Sequence, residues 1–308
     1  MEPSARNIEL EAAALANLDD LDSWRVYADW LLSVGDPRGE LVSLHLHQAN
    51  AYRSERVAMA DQLRAREQAY VDAWHAWAHD LDLLEVEPRF RRGFVESIKG
   101  PLSQLEGKLD QLFERDPIQR LNLREVEDDA LVRLCERRPP WFERLRYLCV
   151  SGRVGPAGAA ALAKNPLPKL ERLNLLGNQI EAVACQHLAG LDTRVLGALT
   201  LTANLINDDA LASLLGSKQR GQWRQLYLTG NPITAQGLAR LADTDGFERL
   251  EALYLRNVNA KLADFEPLLD SAKLAKLTTL EVSSAGSWSA RALSERMRAR
   301  WGAGYRLR

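Results

Sequence analysis

Cysteine is scarce in this chain and scattered. Its three residues, Cys135, Cys149 and Cys185, form no close pair and no metal-ligand spacing. That argues against a disulfide framework and suggests reduced thiols in a cytosol. Long apolar runs are missing as well. No stretch approaches the roughly 18 apolar residues of a membrane span. The opening MEPSARNIELEAAAL carries acids early and no apolar core, so no signal peptide is expected. The phosphate-cradling patterns GxxxxGK[ST] and GxGxxG and the nucleophile pattern GxSxG do not occur. A large net charge is missing too. The 40 basic and 42 acidic side chains leave −2, which argues against a general nucleic-acid binder.

The charge is nevertheless uneven. Residues 1–90 hold 8 basic and 17 acidic side chains, or −9, so the remainder carries −2 − (−9) = +7. Six arginines and one glutamate lie between Ala285 and Arg308. The stretch reads as a solvated capping helix, or else as a docking surface for an acidic partner.

What the chain has is a repeat. Seven stretches begin at Ile118, Leu145, Leu170, Leu196, Trp223, Leu250 and Leu277, with gaps of 27, 25, 26, 27, 27 and 27. The clearest read LERLNLLGNQI, LGALTLTANLI and WRQLYLTGNPI. A fixed period in this range is the mark of a stacked-repeat architecture. Apolar residues fall at positions 1, 4 and 6, and the 4/6 pair alternates as a strand does. Position 9 is Asn178, Asn204 or Asn231 in three copies, and there an amide can bond backbone groups and stack into a ladder. Position 11 is Ile180, Ile206 or Ile233. Helical signals follow, with Leu211, Leu214 and Leu215 on one face after Asn207 or Asp208 as cap, and Leu238 and Leu241 after Thr234. One unit buries too little apolar area to fold alone, so stacking must supply the core.

These residues resemble the leucine-rich repeat family, with its LxxLxLxxNxI segment, closest to the ribonuclease-inhibitor-like subtype. The resemblance covers residues 118–303. It implies an α/β solenoid with a parallel sheet on the concave face and helices on the convex face. Copies one, two, six and seven depart at position 9, with Val126, Arg153, Val258 and Ala285.

Residues 8–84 read as helices. Trp24, Tyr27, Trp30 and Leu31 share one face. Gly35 suits a helix C′ position, and Asp36-Pro37 suits the next N-terminus. A longer helix is expected over 53–83, with Leu63, Tyr70, Trp74 and Trp77 among its buried side. The segment VYADWLLSVGDPRGELVSL resembles the repeat-companion domain of bacterial proteins, through Tyr27, Asp29, Trp30, Asp36, Pro37, Arg38 and Gly39 among others. The resemblance implies an architecture and a bacterial source, not a reaction. We read the motif as structural, with an Asp29–Arg38 pair pinning two helices. FRRGFVESI is expected to form the first strand of the sheet and to cover the edge of the first repeat. The expected division is a helical domain at 1–89, a capping strand and helix at 90–117, and seven repeats with a basic C-terminal cap at 118–308.

No catalytic, cofactor-binding or metal-ligating residue stands out. His75 and His79 lie at i, i+4, but Ala76 stands where a zincin needs Glu. His45 and His47 do not face each other on a helix. Cys149, at position 5, is expected to expose an ordinary thiol on the concave face. Positions 3, 5 and 7 supply that face, and Glu281 is the one acid among its 21 residues. Tyr and Arg recur there, as at binding hot spots. Arg120, Arg124, Tyr147, Arg172, Tyr227, Tyr254 and Arg256 are the candidate partner-binding residues. The expected function is a non-enzymatic protein–protein scaffold, adaptor or sequestering regulator in bacterial signalling or defence. It would be cytoplasmic, free of cofactors and bound to one specific protein. Nucleic-acid binding through the Arg-rich C-terminus is one alternative, and a regulated substrate or subunit of a larger complex is another.

Overall fold

The computed structural model describes residues 7–16, 20–50, 53–282, 295–296, 298–300 and 306–307. The chain divides into two compact units, residues 1–100 with 104–119, and residues 101–103 with 120–308.

The first unit opens with helices α1 (Ile8–Ala16), α2 (Leu21–Ser33), α3 (Arg38–Asn50) and α4 (Arg53–Asp80). Asp20 starts α2 by accepting the Asp22 N–H at 3.1 Å and the Ser23 hydroxyl at 2.6 Å. Gly35 ends it with φ +72°. The Gly35 N–H donates to Leu32 O and the Asp36 N–H to Leu31 O, the paired bonds of a left-handed helix stop. α3 packs on α2 through Gly39, where an added Cβ would lie 2.8 Å from the Leu32 backbone nitrogen. Trp24, Tyr27 and Leu31 are buried together with Ala14, Val42, Leu46 and Phe94, and Trp30 packs against them. On α4, Leu63 and Trp74 are buried, while Tyr70 and Trp77 are half-buried.

The structure changes the expectation for Arg38. Asp36 grips its guanidinium, at 3.0 Å to Nε and 2.6 Å to Nη2, and both residues are buried. Asp29 is exposed instead. The reason is local. A carboxylate two residues away reaches Arg38 within the same turn, whereas Asp29 lines a cleft with Ser43, Leu46 and His47, further along α3. Burial works against the Arg38 charge, but the bonds to Asp36 outweigh it and raise its pKa. The guanidinium lies 4.4 Å above the Phe94 ring.

FRRGFVESI also differs from expectation. It is a hairpin rather than one strand, with β1 (Glu87–Arg91) antiparallel to β2 (Phe94–Pro101). Arg92 and Gly93, with φ +53° and +82°, form the two-residue turn. Short helices α5 (Leu102–Leu105) and α6 (Leu109–Arg115) follow. Asp116 accepts the Val95 N–H at 3.1 Å.

The second unit is an α/β repeat fold. Its strands are β3 (Arg120–Glu127), β4 (Tyr147–Arg153), β5 (Arg172–Asn174), β6 (Ala198–Thr200), β7 (Gln225–Tyr227), β8 (Ala252–Leu255) and β9 (Thr279–Val282). Each pairs in parallel with the next. Between them run α7 (Asp128–Glu136), α8 (Pro156–Ala163), α9 (Ala182–Ala189), α10 (Asp208–Leu215), α11 (Ala235–Asp243) and α12 (Glu266–Asp270). The residues that begin the seven repeats are all buried, as are the position-4 and position-6 residues.

The Asn ladder is present. Asn204 donates to Leu175 O of the preceding repeat at 2.9 Å and to Leu201 O of its own at 3.0 Å, and it accepts the Ile180 N–H at 3.1 Å. Asn231 repeats this one copy later, on Leu201 O and the Ile206 N–H. Asn178 does so one copy earlier, on Val150 O and the Val154 N–H. Where position 9 is Val126 or Arg153, the strand does not turn away. β3 and β4 stay paired as far as Glu127 and Arg153, past a register shift between Leu123 and Val126.

Candidate functional site

Parallel register brings like positions of successive repeats into rows. One row runs Arg120, Tyr147, Arg172, Ala198, Gln225, Ala252 and Thr279. A second runs Asn122, Cys149, Asn174, Thr200, Tyr227, Tyr254 and Glu281. Leucines on the intervening positions are buried in the core, so the two rows share the opposite face of the sheet. Position 7 adds Arg124, Ser151, Leu176, Thr202, Thr229 and Arg256, and its last member, Ser283, lies outside the described residues.

Tyr227 and Tyr254 stand on adjacent strands with ring centroids 4.1 Å apart and planes within 5°. The Tyr227 hydroxyl donates to Gln225 Oε1 at 3.1 Å. Burial, and then the hydrogen bond with Tyr254, raise the Tyr227 pKa. In the neighbouring row Ala252 lies beside Tyr254, and Gln225, between Ala198 and Ala252, lies beside Tyr227. At the other end the Arg120 guanidinium lies 4.7 Å over the Tyr147 ring. Arg172 is exposed beside Tyr147.

Two residues of this face differ from expectation. Cys149 is buried, 5% exposed, between half-buried Asn122 and Asn174 and bonded to Tyr147. Its neighbours in both rows are long enough to close over a short thiol. Burial raises its pKa, and the bond to Tyr147 only partly offsets this. Glu281 is also buried, 7% exposed, and ion-paired with Arg256 at 3.0 Å. The single acid of the face is thus neutralised, and Arg256 is partly engaged.

The candidates fall into two groups. Arg120, Tyr147 and Arg172 meet on β3–β5, with half-buried Arg124 two positions beyond Asn122. Tyr227, Tyr254 and Arg256 meet on β7 and β8. The motif residues Tyr27, Asp36, Arg38 and Gly39 serve the helical core of the first unit. A cavity of about 310 Å³ beside them is lined by Pro37, Glu40, Leu41, Arg66, Ala69, Tyr70 and Ala73. Its charged groups, Arg66 and Glu40, are paired with each other. Among the described residues no group of three or more His, Cys, Asp or Glu is placed to hold a metal ion. No helix among them is long and apolar enough to cross a membrane. His45 pairs with Glu67 at 2.9 Å, and His75 and His79 are exposed.

The sequence reading missed a cross-repeat device. Asp128 accepts the Gly155 N–H at 2.8 Å and the Gly158 N–H at 2.7 Å, and so caps α8 of the next repeat. Asp208 likewise accepts the Thr234 N–H at 2.9 Å ahead of α11. An acid at a helix start invites a reading as its own cap, and only the stacked fold reveals the partner.

No family model matches the chain. Among curated proteins it is similar to Protein NLRC5 of Mus musculus, at 32% identity over 139 residues. That match covers 35% of this chain and spans 7% of the curated relative's length. Among solved structures it is similar to an internalin of Listeria monocytogenes, at 19% identity with a TM-score of 0.33. That likeness covers 56% of this chain and 49% of the internalin chain.

Proposed function

We propose that the chain is a non-enzymatic protein-recognition scaffold that binds one protein partner through the face carrying Tyr227 and Tyr254. In this reading the repeats are leucine-rich repeats stacked as a solenoid over 118–308, with the sheet on its concave side. Residues 1–89 are a repeat-companion domain, and 90–117 are a capping segment. The setting is a bacterial cytoplasm, where such a protein acts as adaptor or sequestering regulator in signalling or defence.

The observation that carries the reading is the stacked, half-buried tyrosine pair on β7 and β8. A rigid aromatic platform offers contact area at low entropic cost, as binding hot spots do. Chemistry would ask instead for converging carboxylates or imidazoles with shifted pKa values. The arginines described near the C-terminus weigh against nucleic-acid binding. Arg296 pairs with Asp270 at 2.6 Å and Glu266 at 3.3 Å, and Arg300 donates to Ser271 O at 2.8 Å. Their charge is used within the fold.

The test is capture of partners from the source cells with wild-type and Tyr227→Ala/Tyr254→Ala protein, read by mass spectrometry. One stoichiometric protein lost with the variant supports the reading. Recovery of nucleic acid and no protein overturns it.

A further inference from the structure

The first three strands of the repeat sheet differ electrostatically from the rest. Their nine residues at positions 3, 5 and 7 are Arg120, Asn122, Arg124, Tyr147, Cys149, Ser151, Arg172, Asn174 and Leu176, three cations and no acid. Arg120 and Arg172 are both exposed. Neither makes an ion pair with a described residue. They stand one strand to each side of Tyr147 in the same row. With strands spaced by about 4.8 Å, their Cα atoms are roughly 10 Å apart. The Tyr147 ring supports the Arg120 guanidinium from below and leaves N–H donors free at its edge. The face's only acid, Glu281, is buried against Arg256 towards the far end of the sheet. Elsewhere arginines do find carboxylates, as half-buried Arg146 does with Glu171 and exposed Arg224 with Glu251. Two adjacent guanidiniums without counter-charge repel one another, and a ligand carrying carboxylates removes that repulsion.

We propose that strands β3–β5 are an acidic-peptide site, in which Arg120 and Arg172 each take a carboxylate of one extended partner segment across the Tyr147 ring. This rests on the recognition reading above and specifies the partner's chemistry. The segment carries Asp or Glu at alternate positions of an extended chain, which puts them on one side roughly 7 Å apart, within reach of the two flexible arginines. The tyrosine pair on β7 and β8 lies two strands further on, with Arg172 close enough to act on Tyr227.

The test uses the full chain and a fluorescein-labelled peptide alternating Glu with Leu, followed by anisotropy at 50 and 300 mM NaCl. Three proteins are compared. They are wild type, Arg120→Glu/Arg172→Glu, and a control of equal charge change off this face, Lys218→Glu/Lys276→Glu. The expected result is saturable binding to wild type that weakens at least tenfold in the arginine variant and at high salt. The lysine control should stay within about twofold of wild type. A matched Lys/Leu peptide should not bind. Circular dichroism and the melting midpoint of each variant separate a lost site from a lost fold. Equal weakening in both double variants would reduce the effect to net charge and overturn the proposal. So would absence of wild-type binding, or binding that survives Arg120→Glu/Arg172→Glu. None of these outcomes touches the Tyr227/Tyr254 capture result, so the recognition reading stands or falls separately.

Discussion

At the residue scale the strongest commitments are buried polar groups with full sets of partners. Asn204 is 5% exposed and ties two repeats together. Asn204→Ala leaves the Ile180 N–H and the Leu175 carbonyl without a partner in the core. The expected loss is about 2–3 kcal/mol of unfolding free energy in a urea titration. A loss below 0.5 kcal/mol would mean that the ladder is decorative. Asp36→Asn removes the charge that grips the buried Arg38, while Asp116 still acts on it, and should cost about 3 kcal/mol, the low end for a broken buried pair. Asp29→Asn, exposed and unattached to Arg38, should stay within about 0.5 kcal/mol of wild type. The thiols give a pH prediction. Burial pushes Cys135 and Cys185 up to about 12, and it also raises Cys149. The folded chain therefore keeps protons that the unfolded chain releases from about pH 8.5 upward. Folding stability should fall as pH rises from about 9 to 11, and all three thiols should resist an aromatic disulfide reagent at pH 8 until the chain is unfolded. Rapid reaction of Cys149 in native protein would restore the exposed-thiol expectation.

At the element scale the repeats are joined by more than their leucines. Asp208, from the previous repeat, holds Thr234, the N-cap of α11, by its N–H and hydroxyl. Asp208→Ala should cost about 1 kcal/mol, with faster hydrogen exchange in the first turn of α11 rather than in α10. The strands and helices of the repeats were legible because a period of 25 to 27 residues repeats the same buried positions, and burial depends on those positions alone. Three kinds of feature were not legible. The Arg92-Gly93 turn looked like strand interior because Arg tolerates positive φ only when a hairpin demands it. The Asp36 grip on Arg38 depends on the handedness of one turn. The length of β3 and β4 depends on what replaces Asn at position 9, which becomes clear only when Val126 and Arg153 are seen paired onward.

At the scale of the whole molecule the sequence places its net excess of acids before residue 90 and its net excess of cations after it. The repeat sheet then sorts side chains by row, so that one face carries tyrosine, arginine and small residues and almost no free acid. The rows themselves followed from the period, and Tyr227 and Tyr254 could be named as neighbours before their ring distance was known. Their stacking, the burial of Cys149 and the neutralisation of Arg256 by Glu281 depend on side-chain reach across strands, which a periodic pattern does not contain. The central claim is that this face recognises a protein. Its most direct test is calorimetric titration of the recovered partner against wild type and Tyr227→Ala/Tyr254→Ala, with melting midpoints measured in parallel. The account predicts a fold that survives and an affinity lower by on the order of 1 kcal/mol or more per tyrosine. Unchanged affinity in a folded variant would contradict it and move the interface away from the sheet.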